Sequence, residues 1–202
     1  ALERTQPLTG AVAAEFGCGT GRVTALLARR AARIHAFDFT AAMLGVAQEK
    51  RRRLGWTNVS LTLADSRAIP ARRGWADFAV EGWAFLQIAV WHPADWQTQL
   101  GRALEEMRRV VRPGGKMILI ETLGTGRREP DVPRHFRQVY DWLETEHGFA
   151  ANWIRTDYRF ETMKQVRGVI VPLFGEEMLA VLEQDETGIL IPECTGLWWR
   201  EN

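Results

Sequence analysis

The sequence predicts an α/β protein: a doubly wound, mostly parallel sheet with helices on both faces. Three observations carry this. Apolar runs of strand length alternate with helical patterns from the first residues onward, the signature of crossover units. The runs are nearly continuous rather than polar-apolar alternating, as strands covered on both faces are. A burst of three glycines, in "AVAAEFGCGTGRVTALLARR" (11–30), joins the first run to the first helical pattern.

Taken in order, the strand-like runs are 10–16, 32–39, 58–65, 76–83 and 116–122, with helix-like segments near 20–31, 40–53 and 94–111 between them. "RPGG" (112–115) is a stop between a helix and a strand, because Pro113 cannot continue the helix and the glycines permit a tight exit. A polar stretch follows and leads into an aromatic-rich helix at 133–147. The remainder reads as a strand around 153–160, a helix over about 161–184 broken at Gly175, and a final strand in "CTGLWWRE". Neither a repeat nor a linker interrupts the pattern, so residues 1–202 read as a single domain.

At 202 residues, 46% hydrophobic and 25% charged, the composition is that of an ordinary globular domain. A net charge of +1 gives no global field for nucleic acid or an anionic membrane. The arginine clusters at 51–53 and 108–109 end helical patterns, where cations suit the helix dipole. Two distant cysteines, Cys18 and Cys194, have no metal-ligand spacing and suit a reducing compartment. No run approaches the roughly 20 apolar residues of a membrane span, and "ALERTQPLTG" has no signal-peptide pattern. The expectation is a cytoplasmic protein without metal, membrane span or nucleic-acid partner; the oligomeric state is left open.

The glycine loop holds the functional information. Ligands of open α/β sheets bind beyond the carboxyl ends of the strands, and the first strand–loop–helix unit usually lies there. Gly17, Gly19 and Gly21 allow a ligand close to the backbone, and the helix opening near Thr20 points free N–H groups at it. A dinucleotide fingerprint needs a small residue at its sixth position; here that position is Arg22, and the third glycine falls one place early. Glu15 adds negative charge where a diphosphate would lie, and so suits a phosphate-free ligand bearing an ammonium group. The second run ends at Asp38, placed to accept from ribose hydroxyls, with Phe39 and Met43 able to pack on a base. The third ends at Asp65-Ser66, where an acid can accept from an exocyclic amine.

These residues resemble the class I S-adenosylmethionine-dependent methyltransferases, and most closely the small-molecule branch with the ubiquinone and menaquinone biosynthesis enzymes. "AEFGCGTG", "IHAFDFTAAML", "LADSRAIP", "ADFAVEGWAFLQI" and "EEMRRVVRPGGKMILIET" resemble that family's successive motifs, in order, over residues 10–125. The resemblance implies a three-layer Rossmann-like fold, with a seven-stranded, mostly parallel sheet whose last strand is antiparallel. It implies S-adenosylmethionine as cofactor, leaving as S-adenosylhomocysteine, and a small-molecule methyl acceptor. The implied cofactor residues are Glu15, Gly17, Cys18, Gly19, Thr20, Gly21, Asp38, Phe39, Met43, Asp65, Ser66, Glu81 and Gly82. Trp83, at the end of the fourth strand, would face the acceptor, and an insertion at about 124–150 would cover it.

Because the cofactor carries the activated methyl group, the protein's task is placement, with a general base needed only for a protonated acceptor. Candidate bases are His92, after the fourth strand, and His135 and Tyr140 in the expected cover; the last two are also candidate substrate contacts. Trp83, Trp91, Trp96 and Trp142 could cage an apolar or cationic acceptor. His35, inside the second run, and Trp198 and Trp199 in the final strand read as core or sheet residues. Two alternatives stay open: an NAD-dependent oxidoreductase sharing the strand–glycine–helix unit, and a non-catalytic module that binds the cofactor.

Overall fold

The computed structural model describes residues 2–186 and 188–202. A seven-stranded sheet runs in the order β3-β2-β1-β4-β5-β10-β6. Its strands are β1 (Val12–Phe16), β2 (Arg33–Asp38), β3 (Val59–Leu63), β4 (Ala76–Gly82), β5 (Val111–Thr125), β6 (Ala150–Arg155) and β10 (Glu193–Glu201). Strands β1 to β5 pair in parallel, and β10 runs antiparallel to both β5 and β6. The expected three-layer, mostly parallel architecture with an antiparallel last strand is therefore the observed one.

The strand residues divide between two cores, which is why the runs look continuous in sequence. Ala13, Ile34, Ala36, Phe78, Val80, Ile118 and Ile120 face one layer, with α2 (Arg22–Leu27) supplying Val23 and Leu27, and α3 (Ala41–Leu54) supplying Leu44. Ala14, Phe16, Phe37, Ala79, Met117 and Leu119 face the other, formed by α4 (Phe85–Trp91), α5 (Trp96–Val110) and α6 (Arg134–Thr145). Apolar residues on both faces of each strand leave no polar position for a period-two pattern. A short helix, α1 (Leu2–Thr5), lies ahead of β1 and packs Leu2 on the first core.

Two departures from the sequence reading affect the site. "FLQIAVW" forms α4 directly after β4, where no helix was expected; Phe85, Leu86 and Ile88 bury its inner face. The chain between β6 and β10 was expected to hold the end of a strand around 153–160 and a helix over about 161–184 broken at Gly175. It forms β7 (Tyr158–Phe160), α7 (Met163–Phe174), a 3₁₀ turn (Glu176–Val181), β8 (Glu183–Asp185) and β9 (Gly188–Ile191). The three short strands make a second sheet, β7-β9-β8, closed over its own small core of Val166, Ile170 and Ile191. Helix α7 is delimited by a capping box, with Thr162 and Gln165 satisfying each other's backbone N–H groups. The substrate cover was expected at 124–150; there, α6 buries Val139, Tyr140, Trp142 and Leu143 against the main sheet. The segment that stands outside the main sheet is 156–192.

No helix among the described residues is long and apolar enough to cross a membrane, and no group of His, Cys, Asp and Glu among them could hold a metal ion.

Candidate functional site

The strand order reverses between β1 and β4, and a cavity of about 480 Å³ opens there, over the carboxyl ends of the strands. Its wall includes Gly17, Cys18, Gly19 and Thr20 from the glycine loop, and Asp38, Phe39 and Met43 from the end of β2 and the start of α3. Asp65 and Ser66 follow β3, while Gly82, Trp83 and His92 come from β4 and the two ends of α4. Sequence reading had assigned all of these to the site.

Local packing explains the small residues. Gly17 has φ +63°, and a Cβ there would stand 2.4 Å from the Cβ of Ala84, so glycine lets α4 begin against the loop. A Cβ on Gly82 would meet Val23 of α2 at 2.6 Å. Gly21, in the left-handed region, is the N-cap of α2 and accounts for the early third glycine. Helix α2 is a short one, Arg22–Leu27, rather than the 20–31 expected.

Asp38 is 6% exposed and held in place by backbone donors. Gly19 N–H donates to its Oδ2 at 2.7 Å and Thr40 N–H to its Oδ1 at 2.8 Å. Each carboxylate oxygen retains a lone pair for another donor. Phe39 and Met43 stand 58% and 45% exposed beside it, an apolar surface with nothing packed over it except Trp91, whose ring meets Phe39 edge-on at 5.3 Å. Asp65 is held by Arg67, whose Nε and Nη2 donate to its carboxylate at 2.6–3.1 Å. That bond keeps the Asp65 carboxyl below its usual range.

Five assigned residues lie outside the wall: Gly21, the N-cap of α2, and four others. Glu15 is buried beneath the loop rather than in the wall: Thr24 N–H donates to its Oε1 at 3.0 Å and the Thr24 hydroxyl to its Oε2 at 2.7 Å. It ties the first turn of α2 to β1, and burial pushes its carboxyl up to about 7. Glu81 is also fully buried. It accepts from the N–H groups of Ala84, Phe85 and Ile120, capping α4 and bracing β5, and burial pushes it up to about 7. The neighbouring Glu121 accepts from Leu86 N–H, and burial together with the Glu81 charge pushes its carboxyl well up. Tyr140 donates its hydroxyl to the Thr122 carbonyl at 2.5 Å and stacks on Trp198. Burial raises its hydroxyl above the ordinary range, which unsuits it as a base. His135 packs on Phe136 and lines a separate cleft with Pro93 and Trp96.

His92 does reach the cavity, but its Nε2 lies 3.1 Å from Arg67 Nη1. A guanidinium can only donate, so the ring nitrogen accepts and is not open to a substrate proton. Arg67 also donates to Gln99, and Asp95 lies 4.0 Å from His92 Nδ1. Of the expected tryptophan cage, Trp83 and Trp91 line the cavity. Trp96 and Trp142 instead pack edge-on against each other between α5 and α6, at 5.3 Å.

The sequence reading missed Arg22, Thr40, Arg67, Ala84, Gln87 and Ile88, which also line the wall. Arg22 was used only to exclude a dinucleotide; its guanidinium lies 4.0 Å over the Trp83 ring. Residues of α4 were out of reach without that helix.

Comparison with known proteins agrees with this geometry. Residues 13–115 match the methyltransferase domain family. A demethylmenaquinone methyltransferase of Bacillus velezensis is 31% identical over 134 residues, 65% of this chain and 51% of the relative. A malonyl-[acyl-carrier protein] O-methyltransferase of Yersinia pestis is 32% identical over 150 residues, 70% of this chain and 49% of the relative. The chain thus spans about half the length of these curated relatives. A SAM-dependent methyltransferase from Aquifex aeolicus superposes with a TM-score of 0.61 at 17% identity, covering 98% of this chain and 86% of its own. A glycine loop joined to α4, a backbone-held acid at the end of β2, and a matched family spanning β1 to the start of β5 agree: the chain belongs to the class I methyltransferases.

Proposed function

We propose that this domain transfers a methyl group from S-adenosylmethionine to a small-molecule acceptor in the cytoplasm. The observation that carries the reading is Asp38, aimed by Gly19 and Thr40 into a cavity walled by the glycine loop. The residues present suit the cofactor. A volume of about 480 Å³ is within the usual range for small-molecule sites. The backbone at Gly19 would admit close approach, since a Cβ there meets nothing within 4 Å. Phe39 and Met43 offer apolar surface to a flat base.

When bound, the cofactor supplies an electrophilic methyl group whose departure from sulfur needs no acid. The chain's work is then to bind and orient. Asp38 would accept from the ribose hydroxyls with its remaining lone pairs, and Asp65, through an oxygen shared with Arg67, from the base amine. The Gly17–Thr20 backbone would hold the amino-acid portion. Glu15 and Glu81 act beneath the wall as positioning residues, one fixing α2 and the other fixing α4. Trp83 and Gly82 would face the methyl group and the acceptor. Arg22 at the sixth loop position counts against hydride transfer with a dinucleotide.

The test is incubation with methyl-labelled S-adenosylmethionine and a panel of small acceptors. Labelled product and S-adenosylhomocysteine should form in equal amounts. Binding of the cofactor with no turnover on any acceptor class would favour a non-catalytic binding module.

A further inference from the structure

At the end of β2 remote from Asp38 the protein has a hollow that the methyl-transfer reading does not use. Two adjoining cavities of about 330 Å³ each share Arg33 and His35 as wall residues. Arg33 opens β2 and Asp38 closes it, so at 3.3 Å per residue the hollow starts about 17 Å along the strand from the methyl-donor cavity. Arg51, in the last turn of α3, lines one lobe; Arg72 and Trp75, just before β4, line the other. Neither wall contains an Asp or Glu. Asp77 of β4 and Glu106 of α5, on neighbouring elements, are each paired with an arginine of their own, Arg112 and Arg109. Two donors in these walls are orphaned: Trp75 Nε1 and Arg51 Nε are buried atoms with no hydrogen-bond partner. The Trp75 ring is held by its packing on the core and on the His35 ring, at 4.7 Å. Arg51 reaches Gln48 with Nη1, at 3.5 Å, and leaves Nε over. A buried indole N–H normally finds an acceptor, a guanidinium can only donate, and a buried donor left unpaired carries its full desolvation cost. Both therefore call for acceptors from outside the chain.

We propose that this hollow is a second binding site, taking a small molecule that carries two or more linked phosphate groups. The charges choose an anion: Arg33, Arg51 and Arg72 face it, and no carboxylate in either wall opposes it. Phosphate oxygens supply the acceptors that Arg51 Nε and Trp75 Nε1 lack, and the arginine fork matches phosphate geometry. The orphaned donors stand in different lobes, so the ligand needs acceptors in both, with Arg33 and His35 between them. A single phosphate serves one lobe only. A nucleic-acid backbone is the less suited polyanion, because the chain's net charge of +1 gives no wider basic field to follow it.

The test is a proton–nitrogen-15 NMR titration at fixed ionic strength, with S-adenosylhomocysteine present to occupy the main cavity. The probes are diphosphate, inorganic phosphate and a short oligothymidylate, and Trp75→Phe identifies the Trp75 indole signal among those of the nine tryptophans. Diphosphate should move that signal downfield as its N–H gains an acceptor, and leave the indoles of Trp83 and Trp91, in the main cavity, in place. It should bind about tenfold or more tighter than phosphate, since each added charge-assisted hydrogen bond is worth that much. Arg33→Gln alters an exposed side chain; it should weaken diphosphate by about tenfold or more and leave S-adenosylhomocysteine affinity unchanged. No response at Trp75, shifts confined to Trp83 and Trp91, equal affinity for the two phosphates, or indifference to Arg33→Gln would overturn the proposal. So would tightest binding of the oligothymidylate, which would make the hollow a nucleic-acid surface. The Trp75 response decides with or without bound S-adenosylhomocysteine, whose failure to bind would count against the methyl-transfer reading alone.

Discussion

Gly17 and Gly19 make a matched pair for testing how the loop is built, since both adopt positive φ, +63° and +54°, yet only one is crowded. Replacing either by alanine forces a Cβ into the left-handed region, at about 1–2 kcal/mol. At Gly19 nothing lies within 4 Å of the new atom, so that cost is the whole effect. At Gly17 the new Cβ meets the Ala84 Cβ at 2.4 Å, and both atoms sit on backbone that cannot swing away. Overpacking of this kind adds about 1–3 kcal/mol, for a total of about 2–5 kcal/mol. Urea unfolding of the two single variants measures the difference directly. The clash is also reversible: the double variant Gly17→Ala/Ala84→Gly should recover about 1–3 kcal/mol of the loss, because glycine is tolerated at the α4 N-cap position that Ala84 occupies. Equal losses at the two glycines, or no recovery in the double variant, would refute the claim that Gly17 is dictated by the approach of α4.

Further outcomes follow from the buried groups. Glu15 has its carboxyl raised from 4.5 to about 7, so the folded state holds a proton that the unfolded chain has released between those values. Its contribution to stability is therefore present below about 4.5 and declines as pH rises toward about 7; Glu15→Gln should flatten that part of the stability profile in chemical unfolding across pH. Tyr140→Phe removes one hydrogen bond, to the Thr122 carbonyl, and should cost about 0.5–1.5 kcal/mol in unfolding while leaving S-adenosylhomocysteine affinity unchanged. A tenfold loss of affinity would return Tyr140 to the site. Arg67→Ala removes the donors that hold the Asp65 carboxyl below its usual range, and carbon-13 NMR across pH should show that carboxyl titrating higher than in the wild type.

Much of the core of this site was legible in the sequence because it consists of short-range features. A glycine loop, an acid at the end of the next strand and an acid at the end of the one after are fixed by chain order once the strands are recognised. Twelve of the assigned positions do line the cavity, from Gly17 to His92, and the matched family spans the same stretch. Legibility failed where the role depends on which way a buried side chain points. Glu15 and Glu81 carry the residue type expected of ligand contacts, yet the Thr24 and α4 backbone N–H groups claim them from behind the wall. It also failed where a short apolar run was ambiguous: "FLQIAVW" continues the hydrophobicity of β4 and gave no boundary, so the helix that supplies Ala84, Gln87 and Ile88 went unseen. The outlying sheet was missed for a related reason. β8 and β9 are three and four residues long, too short to show a period.

The central claim is that the cavity beside Asp38 binds an adenosine-bearing methyl donor. Titration calorimetry with S-adenosylhomocysteine and with NADH, on the wild type and on Asp38→Ala, tests it most directly. The account predicts one S-adenosylhomocysteine bound per chain, weakened about tenfold or more by Asp38→Ala as hydrogen bonds to a charged acceptor are lost, and no specific NADH binding. Tight NADH binding, or S-adenosylhomocysteine binding indifferent to Asp38, would contradict it.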